Sequence, residues 1–330
     1  MDAIVNTVNC VGVMGKGIAL QFKQKWPANF AFYAKVCQRG EVKIGQMLVY
    51  DSGGLLQPNF IINFPTKQHW RSASQLAWIE SGLLDLVAQV RRLGIRSIAI
   101  PPLGCGNGRL DWKEVKALIK NAFEAVPEVT VYVFEPNFVL MPQAMVSNTK
   151  PPKMTAGRAA ILKVLQAYKT LQYGLGKIEV QKLAYFLQEA GQELNLVFKK
   201  HKYGPYTQAL PHVLLKMEGH YIHGYGDGTG EAEIVPDEQA LIAADVFLAH
   251  TQDRAFKLRI ERVVSLIEGF ETPFGMELLA TVHWLNKKEG WATLADVVKA
   301  AHNWNKRKAS LMTQKTMEIA WERLQSQRWI

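Results

Sequence analysis

The sequence predicts a layered α/β domain followed, after a linker, by a mainly α domain with a few short strands. Three observations lead to this prediction. Short apolar runs alternate with helical patterns over about the first 140 of the 330 residues, a proline-rich segment follows, and helical periodicity dominates the remainder. We therefore place the first domain at 1–141, the linker at 142–153 and the second domain at 154–330.

The first domain contains five short apolar runs of the kind that forms strands. They lie at 3–6, 47–50, 60–64, 97–100 and 129–134. Helical patterns separate them, at 17–25, 29–39, 74–93 and 112–125. This alternation predicts a mostly parallel sheet with ligand-binding loops at the carboxyl ends of its strands.

The linker and the second domain follow from a change in composition. The segment 142–152 has three prolines and a Ser-Asn-Thr run with little apolar content, which is typical of a linker. Beyond it, helical patterns lie at 155–172, 177–192, 206–218, 237–250, 254–268, 273–288, 293–303 and 313–327. Short strands fit only around 196–200 and 221–225.

The overall composition excludes several classes of protein. Cys10, Cys37 and Cys105 are odd in number and have no CxxC spacing, so we expect neither a disulfide framework nor a zinc site, and no cofactor. No apolar run is long enough to span a bilayer and no secretory leader is recognisable, which predicts a soluble cytoplasmic protein. The net charge of +10 weakly favours polyanionic partners.

An anionic stretch interrupts this basic chain at 217–253, which contains no lysine or arginine. Its acidic residues include Asp227, Glu231, Glu233, Asp237 and Glu238. One interpretation is a solvated loop and helix face. The other is a docking surface for a cationic groove.

The first glycine-rich loop follows the first predicted strand, within VNTVNCVGVMGKGIA (residues 5–19). Glycines at 12, 15 and 17 lead directly into a helix, an arrangement that lets backbone N–H groups hold a phosphate. The spacing matches neither the dinucleotide-binding motif nor the P-loop, which needs lysine where Ile18 follows Gly17. Kinase and hydride-transfer chemistry are thus disfavoured, and a turn without a ligand remains an alternative.

A second glycine-rich loop, PPLGCGNGRLDW (residues 101–112), also lies between a predicted strand and a helix. Two such loops at the ends of neighbouring parallel strands can hold a pyrophosphate from both sides. The pair is more specific than either loop by itself.

Three motifs then identify a family. The segments VNTVNCVGVMGKGIALQFKQKWP, NFPTKQHWR and PPLGCGNGRLDW resemble the macrodomain of the DarG antitoxins, which are paired with the DNA ADP-ribosyltransferase toxin DarT. KLAYFLQ (182–188) and KYGPYTQAL (202–210) are similar to the C-terminal region of the same antitoxins. The resemblance implies an α/β macrodomain, with a mixed sheet between helices, followed by a mainly α toxin-binding domain.

The function that this resemblance implies is that of a DNA ADP-ribosyl glycohydrolase. Its substrate would be single-stranded DNA ADP-ribosylated on thymidine bases, and its product ADP-ribose. The protein would also bind and neutralise a cognate DarT-like toxin. The alternative is a non-catalytic ADP-ribose reader that neutralises the toxin only by binding it, and a weaker one is a hydrolase acting on ADP-ribosylated protein.

The catalytic residue implied by the family motif is Lys67, because an amine beside the anomeric carbon can act as nucleophile or carry a proton. A reader would not need this lysine. The implied ADP-ribose-binding residues are Asn6, Asn9, Gly12, Val13, Met14, Gly15, Lys16, Gly17, Ile18, Ala19, Pro65, Thr66, Leu103, Gly104, Cys105, Gly106, Asn107, Gly108, Arg109 and Leu110. Among them, Asn6 and Asn9 are expected to lie against the distal ribose. Phe134 and Glu135 are weaker candidates near the adenosine.

Two departures from the family pattern alter these expectations. Relatives that remove ADP-ribose from proteins have an aspartate in the second loop that works with the lysine. Here the corresponding stretch, 106–109, contains no aspartate, and Asp111 is expected to cap the next helix. We therefore expect the lysine to act without a carboxylate. The strand and short turn that usually precede the VNTVN motif, and contact adenine, do not appear before it, so either the assigned start of the chain is late or an edge strand is absent.

Two further groups complete the predicted sites. His69, Trp70 and Arg71 follow Lys67 directly and are candidate DNA contacts, since an aromatic ring can stack on a base and a cation can neutralise a phosphate. The alternative for them is a packed tryptophan with two solvated cations. The candidate toxin contacts are Asp227, Glu231, Glu233, Asp237 and Glu238.

Overall fold

A computed structural model of the protein describes residues 1–53, 58–136, 147–169, 175–226, 233–251 and 253–330. The chain forms two compact units. The first comprises 1–150 together with 226–230, and the second comprises 151–225 and 231–330. The change from the first unit to the second, after Lys150, falls inside the segment that the sequence predicts as a linker.

The first unit is an α/β fold whose elements follow the predicted order. Its strands are β1 (Ala3–Asn9), β2 (Leu48–Asp51), β3 (Phe60–Lys67), β4 (Ser97–Ile100) and β5 (Thr130–Val133). Its helices are α1 (Gly17–Lys25), α2 (Pro27–Gln38), α3 (Leu76–Leu93) and α4 (Trp112–Phe123). The predicted alternation of strands and helices is confirmed.

The five strands form one mixed sheet in the order β2-β3-β1-β4-β5. β3, β1, β4 and β5 run parallel, and β2 pairs antiparallel with β3 at the edge. Parallel strands bring their carboxyl ends to the same edge of a sheet. The ends of β1, β3 and β4, and the loops that follow them, therefore meet at one edge.

Helix α3 packs closely on β3. Leu83, Leu86 and Val90 of this helix are buried in the core beneath the sheet. A Cβ atom on Gly82 would lie 2.3 Å from the Phe64 ring, so only glycine permits this approach. The contact supports β3 directly before its functional end.

The second unit is mainly helical. Its helices are α5 (Ala156–Lys169), α6 (Lys177–Glu189), α7 (Ala209–Met217), α8 (Glu238–Thr251), α9 (Phe256–Ile267), α10 (Pro273–Lys287), α11 (Leu294–Trp304), α12 (Lys306–Leu311) and α13 (Gln314–Ser326). Its strands form two antiparallel pairs, β6 (Lys199–His201) with β7 (Gly204–Tyr206) and β8 (Ile222–His223) with β9 (Val235–Pro236). The end of the helix predicted at 155–172 lies outside the described residues.

The strand predicted at 196–200 is wrong in its first half. The backbone N–H and C=O of Leu196 are both bonded to the side chain of Gln188, each at 2.9 Å, so they do not pair with a strand. Pairing begins at Lys199, where β6 meets β7. Because β7 extends to Tyr206, helix α7 begins at Ala209, later than predicted.

Helix α12 was not predicted. Asn305 caps it, since its side-chain oxygen accepts the N–H of Lys308 at 2.9 Å. A capping asparagine is a recognisable helix-start signal. The helix was missed because it has only six residues and its first three are charged.

Candidate active site

The ends of β1 and β3 and the loop after β4 meet at one point of the sheet edge. Asn9 pairs in register with Lys67, and a register shift just before this pair leaves Thr66 without an opposite residue on β1. The Lys67 ammonium donates a hydrogen bond to the carbonyl oxygen of Asn107 at 2.8 Å. The predicted catalytic lysine thus touches the second glycine-rich loop.

The side chain of Asn9 shapes the first glycine-rich loop. Its oxygen accepts the backbone N–H groups of Val11 and Val13, at 3.0 and 3.3 Å, and its amide donates to the Val13 carbonyl at 2.6 Å. The Tyr33 hydroxyl holds Asn9 from below by donating to its carbonyl oxygen at 2.6 Å. Sequence reasoning missed Tyr33, because it lies on another helix and has no local signal.

Asn6 faces the interior. Its side chain is 0% exposed and its amide donates to Asn63 at 3.0 Å, and Asn63 in turn exchanges hydrogen bonds with Asn29. Asn9 is only 6% exposed. In this arrangement Asn6 is enclosed and the Asn9 side chain is bonded within the first loop, and the assignment of both asparagines to the distal ribose stays a prediction.

The other predicted residues of the first glycine-rich loop differ in conformation and exposure. Gly12 has a positive φ of 79°, which only glycine adopts freely, and a Cβ there would contact Cys37 at 3.4 Å. Met14 is buried. Exposed or half-buried positions are Val13, Gly15, Lys16, Gly17, Ile18 and Ala19. No side chain caps α1 at its first turn, which suits an anion-binding helix start.

The second glycine-rich loop is a tight turn with no room for side chains at two positions. Gly104 has a φ of 71°, and a Cβ on Gly108 would lie 2.2 Å from the Gly104 carbonyl oxygen. Ser74, on the chain that enters α3, donates its N–H to the Gly108 carbonyl at 3.0 Å. Sequence reasoning missed Ser74, which fixes the loop from another segment.

The predicted residues of the second glycine-rich loop differ in their exposure to solvent. Gly106, Asn107 and Arg109 are exposed, and Cys105 and Leu110 are half-buried. Leu103 is buried in the core of the first unit, and its predicted part in covering the pyrophosphate stays a prediction.

Lys67 lies in an environment that favours the neutral amine. Its side chain is 8% exposed, and the preceding Pro65 and Thr66 are buried as well. Burial lowers the pKa of Lys67 and the positive charge of Arg109 lowers it further. A lysine with a depressed pKa can act as a nucleophile or as a base.

The carboxylate of Asp111 is engaged in capping α4. It accepts the N–H groups of Lys113 at 2.8 Å and Glu114 at 3.4 Å. The predicted cap is confirmed. The Lys67 ammonium donates to a carbonyl oxygen, that of Asn107, and a lysine that works without a carboxylate stays a prediction.

The three residues after Lys67 form an exposed stack. The His69 and Trp70 rings are stacked with centroids 5.3 Å apart, and the Arg71 guanidinium lies 4.5 Å from the Trp70 ring centroid. Trp70 is 47% exposed, which does not agree with the alternative of a packed tryptophan. An exposed indole beside a cation is suited to stack on a nucleic-acid base.

Phe134 and Glu135 lie at the other end of the edge. Phe134 is exposed after β5, and its N–H donates to the Ile100 carbonyl at 3.0 Å. Glu135 forms an exposed ion pair with Lys116 at 2.8 Å. The assignment of Phe134 and Glu135 to contacts near the adenosine stays a prediction.

In the second unit, the acidic candidates differ in exposure. Glu233 and Glu238 are exposed, whereas Asp237 is half-buried and accepts the N–H of Ala240 at 2.9 Å. Asp227 and Glu231 lie outside the described residues. The anionic stretch is partly neutralised, because Asp245 pairs with Lys163 at 2.8 Å and Asp253 with Arg259 at 2.6 Å.

The described parts of the chain contain no group of three His, Cys, Asp or Glu residues that could hold a metal ion. None of the helices described is long and apolar enough to cross a membrane.

Comparison with known proteins identifies relatives of this chain. The Macro domain family model matches residues 5–119. A Thermus aquaticus protein named DNA ADP-ribosyl glycohydrolase is 50% identical over 312 residues, which cover 94% of this chain and 86% of the relative. A Mycobacterium tuberculosis protein of the same name is 40% identical, over 98% of this chain and 95% of its own length.

Among solved structures, the macrodomain of Mycobacterium tuberculosis DarG is 56% identical over 41% of this chain and 90% of its own, with a TM-score of 0.41. The predicted fold class is confirmed, with a macrodomain and a mostly helical remainder. From the two relatives that match nearly its whole length, the chain belongs to the family of DNA ADP-ribosyl glycohydrolases.

Proposed function

We propose that this protein is an enzyme that hydrolyses the N-glycosidic bond between ADP-ribose and a thymidine base in DNA. The observation that carries the proposal is the position of Lys67, a buried lysine with a depressed pKa that touches the second glycine-rich loop. The names of the two full-length relatives support the reaction class.

ADP-ribose would lie along the sheet edge with its pyrophosphate between the two loops. Gly12 and Gly104 have positive φ angles that turn the backbone sharply at both loops. Glycine-rich turns of this kind let N–H groups approach phosphate oxygens closely. The distal ribose would then reach the end of β3, where Lys67 lies.

The reaction requires the neutral form of Lys67. The bond between the ribose anomeric carbon and the base nitrogen breaks, the base leaves with the bonding electron pair and takes up a proton, and water supplies the hydroxyl. A neutral amine serves in either of two ways, by attacking the anomeric carbon or by accepting a proton from the attacking water. Burial and the Arg109 charge therefore assist catalysis by lowering the pKa of Lys67.

The proposal is tested by offering the purified protein thymidine oligonucleotides and proteins that carry ADP-ribose, and measuring the ADP-ribose released. We expect release from the oligonucleotide and little from the protein. Release from neither substrate would contradict the enzymatic proposal and leave a reader of ADP-ribose.

Replacing Arg109 with glycine should shift the pH–rate profile to higher pH. Arg109 has a φ of 66°, which glycine adopts without strain, so the change removes a positive charge and keeps the backbone. Without that charge the pKa of Lys67 rises, and less neutral amine is present at neutral pH. The rate of ADP-ribose release at pH 7 should fall severalfold and recover at higher pH.

The control for this change is Arg109→Lys, which keeps the charge. Its pH–rate profile should resemble that of the original protein. An Arg109→Gly profile that falls by the same factor at every pH would instead indicate lost substrate binding.

We further propose that the second unit binds a cognate DarT-like toxin through its anionic stretch. Glu233 and Glu238 are exposed there and can face the cationic groove of a DNA-binding enzyme. Converting both to lysine should weaken the complex by about tenfold or more, which binding calorimetry would measure. The matched control converts the exposed Glu318 and Glu322 of α13 to lysine. Equal affinities for the two variants would rule out this surface.

A further inference from the structure

A shallow, open basic surface lies on the second unit, between two segments about a hundred residues apart in the sequence. It has a volume of about 530 Å³ and is lined by Lys200, His201, Lys202, Trp304 and Asn305. We call this surface the basic groove. None of the sites described so far uses it.

The walls of the groove are joined by hydrogen bonds. The Trp304 indole N–H donates to the carbonyl oxygen of His201, and the Asn305 amide donates to that of Lys202, each at 3.1 Å. These bonds tie the end of α11 to the β6–β7 hairpin. The groove is thus a preformed feature of the folded unit.

A buried ionic network supports it from beneath. Lys308 and Glu277 are both 0% exposed and 2.6 Å apart, and Arg307 donates two hydrogen bonds to the same carboxylate. Lys182, also buried, donates to the carbonyl oxygen of Pro205 at 2.8 Å and fixes β7. Residues that hold the groove are therefore anchored in the core.

The outer surface carries an excess of positive charge. Lys199, Lys202 and Lys306 are exposed, and within the described residues none of them forms an ion pair. Lys200 is paired with Glu289 at 2.9 Å. Of these three lysines, Lys202 lines the groove, and Lys199 and Lys306 are the sequence neighbours of the lining residues Lys200 and Asn305.

Two aromatic rings lie against cations in this region. The Lys200 ammonium lies 4.4 Å from the centroid of the Trp304 ring, and Lys202 and Arg307 lie 5.2 and 4.8 Å from that of Tyr203. Grooves that bind single-stranded nucleic acid combine cations for the backbone with rings for the bases. An acidic protein surface would supply the charge but would leave the rings without a matching partner.

We infer that the basic groove binds single-stranded DNA, independently of the ADP-ribose site. The choice of DNA rests on the proposed function, in which DNA is the substrate. The lysines would neutralise backbone phosphates, and the Trp304 and Tyr203 rings would contact bases beside the cations that already lie against them. The second unit would then have two charged surfaces of opposite sign, an anionic one for the toxin and a cationic one for DNA.

The test uses the full chain and an unmodified, fluorescently labelled thymidine-rich oligonucleotide, with binding measured by anisotropy at several salt concentrations. The variant replaces Lys199, Lys202 and Lys306 with alanine. Affinity at low salt should fall by about tenfold or more. The negative slope of log affinity against log salt should become less steep by about 2, because each single-strand phosphate contact contributes roughly 0.7 to its magnitude.

The matched control replaces three exposed lysines elsewhere on the same unit, Lys216, Lys299 and Lys315, with alanine. It removes the same charge and should leave the affinity and the slope nearly unchanged. An equal loss in both variants, or no loss in the first, overturns the inference.

A second measurement separates this inference from the proposed function. Binding of free ADP-ribose, measured by calorimetry, should be the same in the groove variant and in the original protein. If the protein binds unmodified DNA through the groove but never releases ADP-ribose, only the enzymatic proposal fails. If it releases ADP-ribose and the groove variant binds DNA normally, only the groove inference fails.

Discussion

Replacing Lys67 with alanine is expected to reduce the release of ADP-ribose from DNA by about 10²–10⁴-fold, the range for loss of a group that transfers a proton in catalysis. The amine is the buried titratable group at the end of β3, and it lies against the second glycine-rich loop. ADP-ribose binding should change much less, because the loops that would hold the pyrophosphate remain. Single-turnover release and calorimetric titration with ADP-ribose would measure the two effects separately.

Two further variants of Lys67 show whether the lost activity comes from the missing amine. Lys67→Met keeps most of the volume without the amine, so it should be as inactive as the alanine variant while avoiding a cavity. Lys67→Arg keeps a cation that can still donate to the Asn107 carbonyl, but a guanidinium stays protonated and should also be inactive. Activity in the arginine variant would show that charge suffices and that no neutral amine is needed.

The Lys67→Met variant also distinguishes the two possible roles of the amine, attack on the anomeric carbon and activation of water. If the amine attacks the anomeric carbon, the base leaves and the resulting glycosylamine can open to an imine. Reduction of this imine with borohydride during turnover should then trap ADP-ribose on the original protein and not on Lys67→Met. If the amine activates water, no adduct should form, although the release of ADP-ribose still depends on Lys67.

Replacing Gly108 with alanine should weaken ADP-ribose binding by about tenfold to a hundredfold. The added Cβ would lie 2.2 Å from the Gly104 carbonyl oxygen and 2.3 Å from the Ser74 hydroxyl oxygen. A backbone carbonyl cannot rotate away as a side chain can, so the loop must move, at a cost of about 1–3 kcal/mol for overpacking. Calorimetric titration with ADP-ribose and thermal unfolding would show the two effects.

Gly106 offers a matched control two residues earlier in the same loop. A Cβ there would meet nothing within 4 Å, and the position is exposed. Gly106→Ala should therefore bind ADP-ribose nearly as well as the original protein. Equal affinities for the Gly106 and Gly108 variants would mean that the shape of the second loop does not determine binding.

Much of the first unit was predictable because its signals are local. Strand and helix patterns, and glycines at the strand-to-helix turns, can be read within short windows of sequence. The second-unit elements β7 and α12 were missed because each is too short to show a clear periodicity in the sequence. The strand predicted at 196–200 failed for another reason, since a distant side chain, Gln188, satisfies the backbone of Leu196.

The asparagines show a different limit. Asn6 and Asn9 are three positions apart on one strand, and an odd spacing directs side chains to opposite faces. The motif assigns both to the ribose, and that assignment stays a prediction. The hydrogen bonds that occupy them come from Asn63 and from the first loop.

The sequence by itself determined the order of the elements, the two glycine-rich loops and Lys67 as the residue of interest, since each depends on neighbours along the chain. Only the tertiary structure decided that Lys67 is buried beside the charge of Arg109, and that Lys202 and Asn305 meet across the basic groove. The physical reason is that burial, charge proximity and hydrogen bonding between distant segments depend on how the chain packs, which residue spacing does not record.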